Sequence, residues 1–142
     1  MKLVSQLLDS KGHAILSIAP SDSVLDAIKL MAEKGIGALV VMDGDALVGI
    51  VTERDYARKV ILKGRSSQDT PVQDIMTSDV LTTSAEETID RCMNVMTERH
   101  LRHLPVVDGD RVTGMISIGD LVKAIIADQK EEIEHLEHYI SG

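Results

Sequence analysis

Slid against itself by about 65 residues, this chain meets itself again: residues 18–61 overlay residues 83–126 with about ten identities. Met31 falls on Met96, Glu33 on Glu98, Leu39 on Leu104, the tripeptide Asp43-Gly44-Asp45 on Asp108-Gly109-Asp110, Gly49 on Gly114, Asp55 on Asp120 and Ile61 on Ile126. A tripeptide, a glycine and an aspartate do not stay in register by chance. Any fold for this chain must therefore be built from two copies of one unit.

Both copies read in the same order. A short extended stretch (residues 14–18 or 80–83) leads into a polar cap region, Pro20-Ser21-Asp22-Ser23 or Ser84-Ala85-Glu86-Glu87, of the kind that starts helices. The apolar stripe Val24, Ala27, Ile28, Met31 has helical spacing, Ile89, Cys92, Met93, Met96 repeats it, and Gly35 is placed to end the first helix. Residues 38–42 and 47–52 are β-branched and apolar, and Asp-Gly between them signals a hairpin because the turn requires positive φ. Residues 104–107 and 112–117 repeat that hairpin, and a second helix closes each copy at residues 53–62 and 118–127. The predicted class is α/β in the α+β sense, with β-α-β-β-α twice. The expected division is an N-terminal segment and first repeat (1–64), a polar linker (65–71), a second repeat (72–128) and a C-terminal helical extension (129–142). The extension has an apolar edge at Ile133, Leu136 and Ile140, so it is expected to pack on its own module or across a dimer.

With 142 residues the chain can bury a core without disulfides, but Tyr56 and Tyr139 are its only aromatic residues, so any bound base must rest on aliphatic walls. A single cysteine, Cys92, excludes an internal disulfide and a Cys-cluster metal site, which suits a reducing cytosol; a cytoplasmic location without targeting segment or membrane span is expected. The net charge of -8 disfavours nucleic acid and anionic lipid as partners. A bound phosphate would need a few local cations.

The strings Gly35-Ile36-Gly37-Ala38-Leu39-Val40-Val41, Gly49-Ile50-Val51-Thr52-Glu53-Arg54-Asp55, Asp74-Ile75-Met76-Thr77, His103-Leu104-Pro105-Val106-Val107 and Gly114-Met115-Ile116-Ser117-Ile118-Gly119-Asp120 resemble the cystathionine β-synthase (CBS) domain family, in the tandem form called a Bateman module, here of the stand-alone signal-transduction type. The resemblance spans roughly residues 7–127. It implies two repeats packed through their sheets about a pseudo-twofold axis, with two clefts that accept AMP, ADP, ATP, S-adenosylmethionine or NAD(H), and modules that stack into a homodimer. An effector protein would then be addressed in trans.

Thr52 and Ser117 sit where a strand becomes a helix, and a hydroxyl beside free backbone N–H groups there is a natural seat for a phosphate. Asp55 and Asp120, one turn on, can each accept two hydrogen bonds from the cis hydroxyls of a ribose. The bland alternative is that both pairs are helix caps only, and the two roles are compatible. Arg54 precedes Asp55, whereas Gly119 precedes Asp120; Arg102 and His103 stand in the second copy where Gly37 and Ala38 stand in the first. Each copy thus offers its own phosphate partner, unless these are a solvated arginine and a satisfied histidine. Because Arg102 and His103 belong to the copy of Asp120, Asp120→Asn is expected to hurt AMP binding at least as much as Asp55→Asn. Ile18, Ile36, Gly37, Thr83 and Leu101 lie beside the strands that wall such clefts in the family, or serve the core. Cys92 lies on an apolar stripe and reads as packing, and His135 and His138 on a Glu-rich face read as solvated rather than metal-binding. No nucleophile-and-base set, Walker loop or dinucleotide fingerprint is present, so the chain reads as a regulatory binding module rather than an enzyme. The competing reading is a dimerisation or docking module without a physiological ligand.

Overall fold

A computed structural model describes residues 2–141; Met1 and Gly142, which begin the expected N-terminal segment and end the expected C-terminal extension, lie outside the described residues. The elements run α1 (Val4–Lys11), β1 (Ser17–Ile18), α2 (Val24–Lys34), β2 (Ala38–Asp43), β3 (Ala46–Thr52), α3 (Glu53–Tyr56), α4 (Ile89–Arg99), β4 (His103–Asp108), β5 (Arg111–Ser117) and α5 (Ile118–Ser141). α3 is a single turn that widens into a π-helix at Ala57–Ile61. Among the described residues no helix is long and apolar enough to cross a membrane.

The local signals become the local structure. Ser23 and Thr88 cap α2 and α4 by accepting from the backbone N–H of Asp26 and Arg91 at 3.1 and 3.2 Å. Gly35 closes α2 at φ 64°, and the hairpin β2–β3 turns at Gly44 as β4–β5 turns at Gly109, each at φ 61°. His100 closes α4 at φ 57°, left-handed backbone that a residue with a β-carbon adopts only under strain.

One expected element shrinks. β1 pairs with β2 in parallel, through Ser17 with Val40 and Ile18 with Val41, whereas residues 80–83 make only the bridge from Thr83 to Val106. The cause is Pro105, which stands where the first repeat has Val40: the Val40 amide donates to the Leu16 carbonyl at 3.3 Å, and a proline has no N–H to donate.

The chain order does not divide the two cores. α1 precedes the first repeat, yet Val4 and Leu8 are buried among Ile89, Cys92, Met96, Leu104, Ile116 and Leu121 of the second. Val72 and Ile75, which open the second copy, are buried among Val24, Ala27, Met31, Leu39 and Val51 of the first. The amide of Val24 donates to the Thr70 carbonyl at 2.8 Å, and that of Ile89 to the Lys2 carbonyl at 3.0 Å, so the lead-in of each copy satisfies the first turn of the other copy's helix. This exchange is reciprocal, as a pseudo-twofold axis requires, and β3 lies against β5 across it.

α5 carries the expected helical extension without a break. It does not pack back on its own module, and Ile133, Leu136, Tyr139 and Ile140 are all exposed, which leaves the expected packing across a dimer. The second core reaches only as far as Ile125 along this helix, so nothing in the described chain faces the apolar edge beyond it.

Candidate functional site

At the end of β3 the chain passes into α3, and Thr52 and Asp55 close that junction on each other. The Thr52 hydroxyl accepts from the Asp55 amide at 3.1 Å, and Asp55 Oδ2 accepts from the Thr52 amide at 3.0 Å and from its hydroxyl at 3.1 Å. Lys59, one turn on, reaches Asp55 Oδ1 at 3.1 Å, and the Asp55 side chain is only 13% exposed. The capping reading is thus correct for this pair, and the carboxylate remains at the wall of a cleft.

That cleft is a cavity of about 370 Å³ between the repeats. The first repeat contributes Gly37, Ile50, Thr52, Glu53, Arg54, Asp55 and Arg58. From the second come Thr77, Asp79, Val80, Leu81, His100, Leu101, Arg102 and His103. The assignment of one cation set to each copy is therefore corrected: Arg102 and His103 share a cleft with Arg54, Thr52 and Asp55. The reason is tertiary. A cleft is walled by the strand-to-helix junction of one repeat and the turn before β4 of the other, because the repeats meet through their sheets.

His103 stands between the two halves. It pairs with Ser117 across β4–β5, and its ring carbon lies 3.6 Å from where a β-carbon on Gly37 would be, so Gly37 leaves room for the ring. Burial, then the Lys11 ammonium, hold this imidazole below its ordinary range, against the pull of Asp120.

Ser117, Gly119 and Asp120 form the equivalent junction in the second repeat. The Ser117 hydroxyl accepts from the Asp120 amide at 3.1 Å, and Asp120 Oδ2 accepts from the Ser117 amide at 2.8 Å. The same oxygen meets the Lys11 ammonium at 2.5 Å, and that ammonium also donates to the Met115 carbonyl at 2.5 Å. Burial works to raise the Asp120 carboxyl, but the bonds from Lys11 and Ser117 outweigh it and hold it below the usual carboxylate range.

The remaining expected residues lie around these junctions. Ala38 is buried and pairs with Thr52, while Ile18 and Ile36 are half-buried against the first core. The Thr83 hydroxyl lies 3.3 Å from Cys92 Sγ, on a separate depression beside α4. Burial pushes the Cys92 thiol up, which makes it a packing group. Among the residues that the sequence reading missed are Arg58 and His100 of the cleft and Lys11 beside Asp120. Arg58 follows Arg54 at helical i+4 spacing and His100 occupies the place of Gly35, so both were open to it. Lys11 was not, since only the packing of α1 brings it to Asp120.

Comparison with known proteins agrees with this geometry. The CBS-domain family matches residues 10–62 and 72–127. The mitochondrial CBS domain-containing protein CBSX3 of Arabidopsis thaliana is 42% identical over 148 residues, covering 98% of this chain and 72% of that protein. A CBS-domain protein of Burkholderia ambifaria MC40-6 superposes with a TM-score of 0.87 at 56% identity, covering 90% of this chain and 96% of that one. The CBS domain pair of protein MJ0100, solved in complex with 5′-methylthioadenosine and S-adenosyl-L-methionine, gives a TM-score of 0.79 at 27% identity over 90% of this chain and 98% of that one.

Proposed function

This chain belongs to the CBS-domain family as a tandem pair of its domains, and from that premise we propose that it is a regulatory, non-catalytic module that binds an adenosine nucleotide and signals to an effector protein in trans. The observation that supports this reading is the first cleft, where Thr52 and Asp55 of one repeat face Arg102 and His103 of the other across one cavity. A ribose on Asp55 and a phosphate near the start of α3 would sit within reach of Arg54 and Arg102, whose guanidinium groups match a phosphate bidentately. The base would rest on Ile50, Val80, Leu81 and Leu101, an aliphatic wall as the composition requires. Since the ligand would touch both repeats, it would bind better in one packing of them than in another, and that difference is the signal.

AMP and NAD(H) are the ligands proposed first, with ADP, ATP and S-adenosylmethionine in the same class. The MJ0100 pair, with its two adenosine-derived ligands, supports the class rather than the choice within it. Homodimerisation is part of the proposal and is supported by the exposed apolar edge of α5. A reducing compartment such as the cytoplasm fits the single, buried thiol. Calorimetric titration with AMP, ADP, ATP, NAD, NADH and S-adenosylmethionine tests the reading. At least one should bind and raise the melting temperature; if none does either, the reading fails.

A further inference from the structure

One difference between the two junctions lies beside a pair of equivalent glycines. Leu8 packs over Gly114 as Met76 packs over Gly49, and these glycines occupy the same place in the two repeats. Three residues beyond each packed side chain stand Lys11 on one side and Asp79 on the other. Asp79 lines the first cleft. Lys11 bonds Asp120 and the Met115 carbonyl, both belonging to residues whose counterparts, Asp55 and Ile50, line the first cleft. Lys11 therefore lies at the second strand-to-helix junction, the counterpart of the wall of the first cleft, on the carboxylate that a ribose would use there. Asp120 has no cation of its own helix at i+4, where the first repeat has Lys59 and the second has Ala124.

We infer that Lys11 is the specificity-determining residue of the second cleft and makes it select nucleotides bearing an anionic group over neutral nucleosides. This rests on the nucleotide reading of the preceding subsection. A ribose that takes Asp120 displaces the Lys11 ammonium, on a side chain 34% exposed, from its only anionic partner among the described residues. A neutral nucleoside leaves that ammonium uncompensated, whereas a 5′-phosphate gives the four-carbon stem a new anion to turn to. α1 holds the stem in place: it is seated by Leu8 over Gly114, and Lys2 reaches Asp128 of α5 at 3.1 Å from its other end.

The test titrates AMP and adenosine by calorimetry into the full chain carrying Asp55→Asn, which weakens the first cleft, with and without Lys11→Met. With Lys11 present, AMP should bind at least about tenfold tighter than adenosine; Lys11→Met should bring the two within about threefold, adenosine gaining as AMP loses. Lys11→Arg keeps the charge and should keep the preference. A ratio unmoved by Lys11→Met, with binding retained, overturns the role of Lys11 alone. If neither ligand binds either chain at the second cleft, the nucleotide reading of that cleft falls and this inference falls with it.

Discussion

Leu8 fills the space over Gly114: a β-carbon on that glycine would lie 2.8 Å from a Leu8 methyl group, closer than packed carbons approach. A residue of the first helix and a glycine of the last strand are thus fitted to each other across nearly the whole chain. Gly114→Ala should cost about 1–3 kcal/mol by overpacking, and Leu8→Ala about 2–5 kcal/mol by leaving a cavity. The double variant should be more stable than the sum of the two losses, since the added methyl enters the space the leucine leaves. Denaturant melts of the four chains measure the coupling; strict additivity would mean the contact is not formed. Gly49→Ala should cost more than Gly114→Ala, because its β-carbon would also meet the Thr77 carbonyl, a backbone atom 3.0 Å away.

Asp55 and Asp120 should separate as ligand groups. Asn at either position retains an oxygen to accept from the Thr52 or Ser117 amide, so the fold should lose no more than about 1 kcal/mol. Asp55→Asn should weaken AMP binding about ten- to a hundredfold at the first cleft, where Arg54, Arg102 and His103 converge. This reverses the order expected from the sequence, because the cations of the second copy face the carboxylate of the first. Calorimetry on the two variants decides it, and equal wild-type affinities in both would reduce the aspartates to caps.

His103 should make the ligand-free fold sensitive to mild acid. The unfolded chain protonates this residue near pH 6.5, as an ordinary histidine does, and the folded chain only at lower pH. Between those values the unfolded state binds the extra proton, so stability should fall as pH drops from about 7 to about 5. Thermal melts across that range should show a shallower decline for His103→Gln. Asp120, whose folded carboxyl is depressed, should add its own loss only as pH falls below about 4. An unchanged slope in His103→Gln would place the sensitivity elsewhere.

The distal half of α5 should govern association. Ile133 and Leu136 are 55% and 53% exposed and touch neither core, so replacing both with Glu should leave the melting of the repeats within about 0.5 kcal/mol. Sedimentation should show the homodimer weakened at least about tenfold. A wild-type chain that stays monomeric at micromolar concentration, with and without nucleotide, would remove the dimer.

Much of this molecule was readable because its determinants act over a few residues. Ser23 and Thr88 cap helices whose amides lie three positions on, Gly44 and Gly109 turn hairpins that only positive φ closes, and the stripes through Met31 and Met96 mark the faces that must be buried. The pairs Thr52 with Asp55 and Ser117 with Asp120 belong to this class, which is why the sequence alone located both junctions. What tertiary structure decided is which surface each segment found. α1 crossed to the second core because Val4 and Leu8 fit over Ile89 and Gly114, Val72 and Ile75 made the return exchange, and the sheets met so that Arg102 faces Asp55 and Lys11 faces Asp120. Burial of apolar area is non-directional, so a hydrophobic pattern states that a face must be covered without stating by what. The partner is settled only when shape and charge are compared across the whole fold, and in this chain that comparison gives two similar junctions different clefts.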